Sequence, residues 1–186
     1  MEKAEWHIGT PNGVILCVDN TTDRQISGRS YHAYSRESEE FQNLDEAVFL
    51  LEQLYDWLDF PHRTTDCRSF FVECPERKSL GKGLGQRRTA GKRKEYAAQG
   101  ISGTQERAKI MADNELLGRH GDMGTFIIRV QHRQNSSWQG CITWMEKNKT
   151  VCFRSIWEMV KLVTGALDSV SKSEEEESRQ EEPSWE

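Results

Sequence analysis

The chain lacks any run of apolar residues approaching the roughly 18 that a bilayer crossing needs. A leader is not expected either. Met1-Glu-Lys-Ala-Glu5 has neither a basic opening nor an apolar stretch, so a cytoplasmic protein is expected. Cysteines are few and unpatterned: Cys17, Cys67, Cys74, Cys141 and Cys152 are odd in number and show no repeated spacing. Free thiols in a reducing compartment are the expectation, and the acceptor-like Asn20, Asn135 and Asn148 then carry no glycan. Apolar residues make up only 35% of the 186. Much of the polarity is concentrated in two segments, 75–103 and 171–186.

The formal net charge of −5 hides a strong segregation. Residues 1–74 carry −8, residues 75–109 carry +7, residues 110–170 carry +1 and residues 171–186 carry −5. The fields are local, so the overall charge is a poor guide to partners.

What the chain does hold is periodicity. Val14-Ile-Leu-Cys-Val18 reads as a strand, and Ile26 to Tyr34 as a second. Arg36 to Glu40 reads as a charged turn. Asn43-Leu-Asp-Glu46 is a capping box, and the apolar stripe from Leu44 through Leu51 to Leu58 predicts an amphipathic helix. Arg68 to Glu73 is a possible further short strand. Thr104 to Leu117 suggests a short helix that Gly118 can cap. In Thr125 to His132, Phe126, Ile128 and Val130 share one face. A turn at Asn135–Ser137, a strand from Trp138 to Met145, a turn at 146–149 and a strand over Thr150–Phe153 follow. Ser155-Ile-Trp-Glu158 is a second capping box, and Ile156 to Val170 carries the same stripe.

Within the stretch 125–170, residues 126–170 slide back by 112 positions onto 14–58 without a gap. The shift pairs Val18 with Val130, Gly28 with Gly140, Phe41 with Phe153 and Glu46 with Glu158. Each pair has a structural job. The glycines suit a bulge or close backbone approach, the phenylalanines a plug under the helix, and the glutamates the capping boxes. About 45 residues is small for independent folding, so a shared core is expected.

The predicted fold is α+β. Two β-β-β-α repeats pack as a pseudo-dimer, an antiparallel sheet with helices on one side. The segments are an N-terminal stretch over 1–13, a first module over 14–74, a basic Gly-rich flexible insert over 75–103, a short helix and loop over 104–124, a second module over 125–170 and an acidic disordered tail over 171–186. Whether the modules pair within a monomer or across a homodimer is open at this point.

The second module carries Phe126-x-Ile128-x-Val130, Arg133-Gln-Asn135, Trp138-Gln-Gly140-x-Ile142-x-Trp144 and Phe153-Arg-Ser155. In these residues it resembles a group of short, uncharacterised bacterial proteins over about residues 120–170. The first module lacks the Arg-Gln-Asn and Trp-Gln-Gly residues. The resemblance implies a compact module and says nothing of activity.

Two groups of residues are candidate sites. Arg129, Arg133, Gln134, Asn135, Trp138, Gln139 and Trp144 gather donors and indole faces, the residue types enriched in binding hot spots. The shared parity of Trp138 and Trp144 with Ile142 offers the competing reading that both are core. Arg77, Lys78, Lys82, Arg87, Arg88, Lys92, Arg93 and Lys94 form a cationic arm able to neutralise nucleic-acid phosphates, or else a solvated loop. Gly81-Lys-Gly-Leu-Gly85 fails both the phosphate-loop and the dinucleotide spacing. His62, Cys67 and Cys74 lack the tight pairing of a zinc site, and neither a metal nor a cofactor is expected. Without a catalytic signature, the expectation is a non-enzymatic binding or regulatory protein acting on an unknown protein partner. The alternative is a nucleic-acid binder using residues 77–94.

Overall fold

Val14-Ile-Leu-Cys-Val18 is apolar without alternation, the pattern of a strand covered on both faces, and all five residues are buried. They open β1 (Val14–Thr22), which lies at the centre of the sheet. The computed structural model describes residues 7–22, 25–64 and 107–180, with side chains through Lys172. These residues belong to one compact unit. The expected insert over 75–103 and the possible strand over 68–73 lie outside the described residues.

The architecture is α+β: a six-stranded antiparallel sheet with three helices among the described residues. After β1 come β2 (Gln25–His32), β3 (Glu39–Phe41) and α1 (Leu44–Leu58). Then come α2 (Asp113–Leu117), β4 (Gly124–Gln134), β5 (Ser137–Trp144), β6 (Lys149–Phe153) and α3 (Ile156–Gln180). The strand order is β3-β2-β1-β4-β5-β6. At the centre Ile15 stands opposite Ile127, and Leu16 opposite Phe126.

Both long helices cover one face. Trp138 of β5 meets Tyr55 of α1 edge-on at 5.3 Å between ring centroids. Ile142 and Trp144, of the same parity, line a groove against α3. Leu51, Leu54 and Tyr55 of α1 are buried, as are Met159, Val163 and Leu167 of α3. The segment carrying α2 runs past the other face. There Arg119 stands over the Tyr31 ring at 5.1 Å, and the amides of Ile110 and Met111 donate to the carbonyl of Ala33.

At both expected capping boxes the cap side chain takes the glutamate amide, but the glutamate carboxylate reaches back to the amide one residue before the cap. The Glu46 amide donates to Asn43 Oδ1 at 2.8 Å, and the Glu46 carboxylate accepts from the Gln42 amide. The Glu158 amide donates to Ser155 Oγ, while its carboxylate accepts from the Arg154 amide at 2.7 Å. That backbone bond, helped by the Arg154 side chain, holds the Glu158 carboxyl below its usual range. Bulges fall between Val18 and Asn20 of β1 and between Val130 and His132 of β4. Gly28 faces Val18 and Phe41, and Gly140 faces Val130 and Phe153. A Cβ on Gly28 would overlap the Cys17 carbonyl oxygen, and one on Gly140 that of Arg129. Asn135 and Ser136, at φ 53° and 58°, make the two-residue turn whose twist suits a hairpin.

Four local expectations are corrected. The charged turn over 36–40 ends in β3, because Phe41 plugs the core opposite Gly28 and draws Glu39 and Glu40 into a ladder with β2. Of the helix expected over 104–117, the described residues from 107 on form only Asp113–Leu117, since the Ile110 and Met111 amides are engaged by Ala33 and Ala112 is extended. Where a disordered tail was expected from residue 171, α3 continues to Gln180, through a run of Glu, Lys and Arg that favours helix. Cys141 and Cys152, expected as free thiols, are directly opposed across β5 and β6 and joined as a disulfide. Cys17 stays free in the core, where burial pushes its thiol up to about 12.

Candidate binding surfaces

The hairpin register divides the first candidate group among four places. Arg133 and Trp138 face each other across β4 and β5, on the helix side of the sheet. Both are buried, beneath α1 rather than α3. Arg133 Nη2 donates to Glu52 Oε1 at 2.7 Å and to Asp56 Oδ1. Trp138 Nε1 donates to Glu52 Oε2 at 2.6 Å. Arg63 supplies a second guanidinium, bonded to Glu52 and, at 3.0 Å, to Asp56. Two cations thus balance two carboxylates. Burial disfavours the charge on Arg133, yet the bonds from Asp56 and Glu52 outweigh it and raise the guanidinium above its ordinary value. Tyr55, packed beside them, has its hydroxyl pushed up by burial.

Arg129 lies on the opposite face. It donates to Thr143 Oγ1 at 2.7 Å and to the His7 carbonyl at 3.3 Å. Gln139 shares that face and is half-buried. Gln134 and Asn135 are exposed at the hairpin tip. Trp144 stacks on Phe126 at 6.1 Å and is half-buried. The seven residues therefore do not form one surface. Arg133 and Trp138 spend their polar groups inside the fold, tying β4 and β5 to α1.

Glu52, Asp56 and Arg63 were not singled out in the sequence. Glu52 and Asp56 meet Arg133 across 81 and 77 positions. The available signal was weak: two acidic residues one turn apart on the edge of the α1 stripe.

Two open features remain on the β5–α3 side. Trp144, Phe126 and Ile142 floor a groove of about 320 Å³, walled by Gly165 and Ala166 and bordered by the exposed Lys149 and Lys161. Beside it β6 pairs with β5 alone among the described strands. The Cα atoms of Cys141 and Cys152 are 4.0 Å apart, the spacing of a pair that exchanges no backbone hydrogen bonds. The N–H and C=O of Cys152, and of Thr150 two residues before, therefore point away from β5. The helix that follows β6 presents Trp157, 67% exposed.

The cationic residues 77–94 lie outside the described residues, as do Cys67 and Cys74. His62 is exposed and bonded to Asp59. Among the described residues no group of three or more His, Cys, Asp or Glu is placed to hold a metal ion, and no helix is long and apolar enough to cross a membrane. Glu46 and Glu158, which could be read as a symmetric carboxylate pair, each bond a backbone amide at a helix start. No protein-family model, curated protein or solved structure matches the chain.

Proposed function

We propose that the chain is a non-enzymatic binding protein whose scaffold is two copies of a β-β-β-α module fused as a pseudo-dimer, and that it acts through protein–protein contacts. The interval of 112 supports the repeat. It carries the bounds of β2 onto those of β5, the start of α1 onto that of α3, and one bulge onto the other. It also relates Ile15 to Ile127, the residues that face each other where β1 meets β4. A twofold axis through that pair would generate one half from the other.

The observation that carries the binding reading is the outer edge of β6. Thr150 and Cys152 offer outward backbone groups, and Trp157 follows, a residue type enriched in hot spots. A partner strand added there would gain main-chain hydrogen bonds in the manner of strand addition. The nearby lysines 147 and 149 also guard the edge against self-association, so an added strand is expected to be acidic.

Photo-crosslinking from position 149 of the full chain, in extract of its native cells, tests this. The recovered protein is then titrated against wild type and Thr150→Pro, which removes one outward N–H and spares the β5 ladder. A discrete partner whose affinity falls tenfold or more in the variant is expected. Recovery of nucleic acid alone, or a partner that binds the variant equally well, refutes the reading.

A further inference from the structure

Gly165 sits inside α3, where glycine costs up to about 1 kcal/mol relative to alanine. Packing does not demand it: a Cβ built there meets no atom within 4 Å. The space it leaves is the wall of the groove over Phe126, Ile142 and Trp144. At the corresponding places α1 carries Gln53, Leu54 and Trp57 where α3 carries Gly165, Ala166 and Ser169. In the first half Trp57 reaches Tyr34 at 5.6 Å between rings, and the smaller Ser30 and His32, at the places of Ile142 and Trp144, are buried. In the second half the bulk sits on the sheet and the helix side is left low. This comparison rests on the proposed repeat; the groove and the unexplained glycine do not.

We propose that this groove binds a free single-chain anionic amphiphile, an aliphatic carboxylate. Its chain would lie along the aromatic floor beside Gly165, and its head would meet Lys149 and Lys161. The volume, about 320 Å³, is at the lower end for ligand sites, which suits one chain. The floor is apolar except for the Trp144 indole N–H, which is buried without an acceptor among the described residues. The border is cationic: Lys149 and Lys161 line the groove, and the Lys147 ammonium stands 5.8 Å from the Trp144 ring centroid. That combination selects an anion with an apolar body over a neutral or cationic one.

The test uses the full chain and 11-(dansylamino)undecanoate, followed by dansyl fluorescence and displaced with dodecanoate. Saturable binding is expected, with displacement by dodecanoate and none by dodecyltrimethylammonium at equal concentration. Gly165→Leu fills open space and raises helix propensity, so it folds, and it is expected to weaken probe binding at least tenfold. Lys149→Glu with Lys161→Glu is expected to weaken it at least tenfold and to flatten its dependence on salt. Vesicles of neutral or anionic phospholipid are expected to bind no better than this double variant does. Failure of wild type to bind the probe, undiminished binding by Gly165→Leu, equal displacement by the cationic amphiphile, or binding only to vesicles would each overturn the proposal. None of these outcomes depends on a protein partner at β6, so the two readings fail separately.

Discussion

Replacing Arg133 with alanine puts a number on the link between α1 and the β4–β5 hairpin. The Arg133 side chain is 3% exposed, and its guanidinium bonds two carboxylates of α1. Removing one partner of a buried ion pair costs about 3–5 kcal/mol when the other charge is stranded. Here the stranding is partial. Arg63 still reaches Glu52 and Asp56, Asp56 is 52% exposed, and Trp138 still donates to Glu52. Losing the buried stem adds a packing cost. A loss of about 2–3 kcal/mol is therefore expected. With a urea m-value of about 2 kcal/mol/M, it would move the unfolding midpoint down by about 1–1.5 M. Urea titration followed by tryptophan fluorescence measures it, Trp138 itself serving as a reporter. Joint replacement, Glu52→Gln with Arg133→Met, removes both charges and keeps the volume and the indole acceptor. It should recover more than half of the loss. An alanine variant within about 0.5 kcal/mol of wild type, or a double variant worse than the single, would refute the argument that this network joins the two parts of the chain.

Gly28→Ala and Gly140→Ala should each destabilise by about 1–3 kcal/mol, because the added methyl meets backbone, and the two losses should agree within about 1 kcal/mol. Thermal unfolding of both variants checks this, and sharply unequal losses would speak against equivalent halves. His32 is buried, its Nδ1 accepts from the Tyr34 amide, and burial lowers its pKa from 6.5 despite the opposing pull of Glu39. The unfolded chain then takes up the proton first as pH falls. Stability that is complete above about pH 6.5 should decline toward the lower folded value, and His32→Leu should flatten the ΔG–pH curve in that window. Asn43→Ala removes the side-chain acceptor for the Glu46 amide and should cost about 1 kcal/mol by urea titration.

The parts of the fold legible in the sequence were those in which the signal is local. Asn43 with Glu46, and Ser155 with Glu158, are three residues apart and bond as their spacing requires. Gly28 and Gly140 mark close backbone approaches because no other residue fits. The alternation of Phe126, Ile128 and Val130 fixed the face that meets the helices. The candidate group around Trp138 was gathered by nearness along the chain, and strand geometry scatters such neighbours. Arg129 and Val130 point to opposite faces, and the bulge before His132 then resets the parity, bringing Arg133 back under the helix layer. Its partners on α1 were invisible because charge pairing over such a separation leaves no periodic trace. β3 was hidden for a similar reason: three residues with two glutamates form a strand only because β2 is there to receive them.

The central ladder also sets a timetable. β1 and β4 meet through Val14–Val18 and Gly124–Ile128, so the middle of the sheet is joined by segments more than 100 positions apart. On a ribosome adding roughly 5–20 residues per second, β1 is made about 5–20 seconds before the strand that covers its inner edge. During that interval β1 and β2 can pair and α1 can dock, while the Val14–Val18 edge lies open to any strand nearby. Closing the ladder costs loop entropy that grows only with the logarithm of the intervening length, about 0.6 kcal/mol per doubling. The connection between the halves is thus free to lengthen or shorten at little cost to stability, while each added residue extends the time for which the seam stays open.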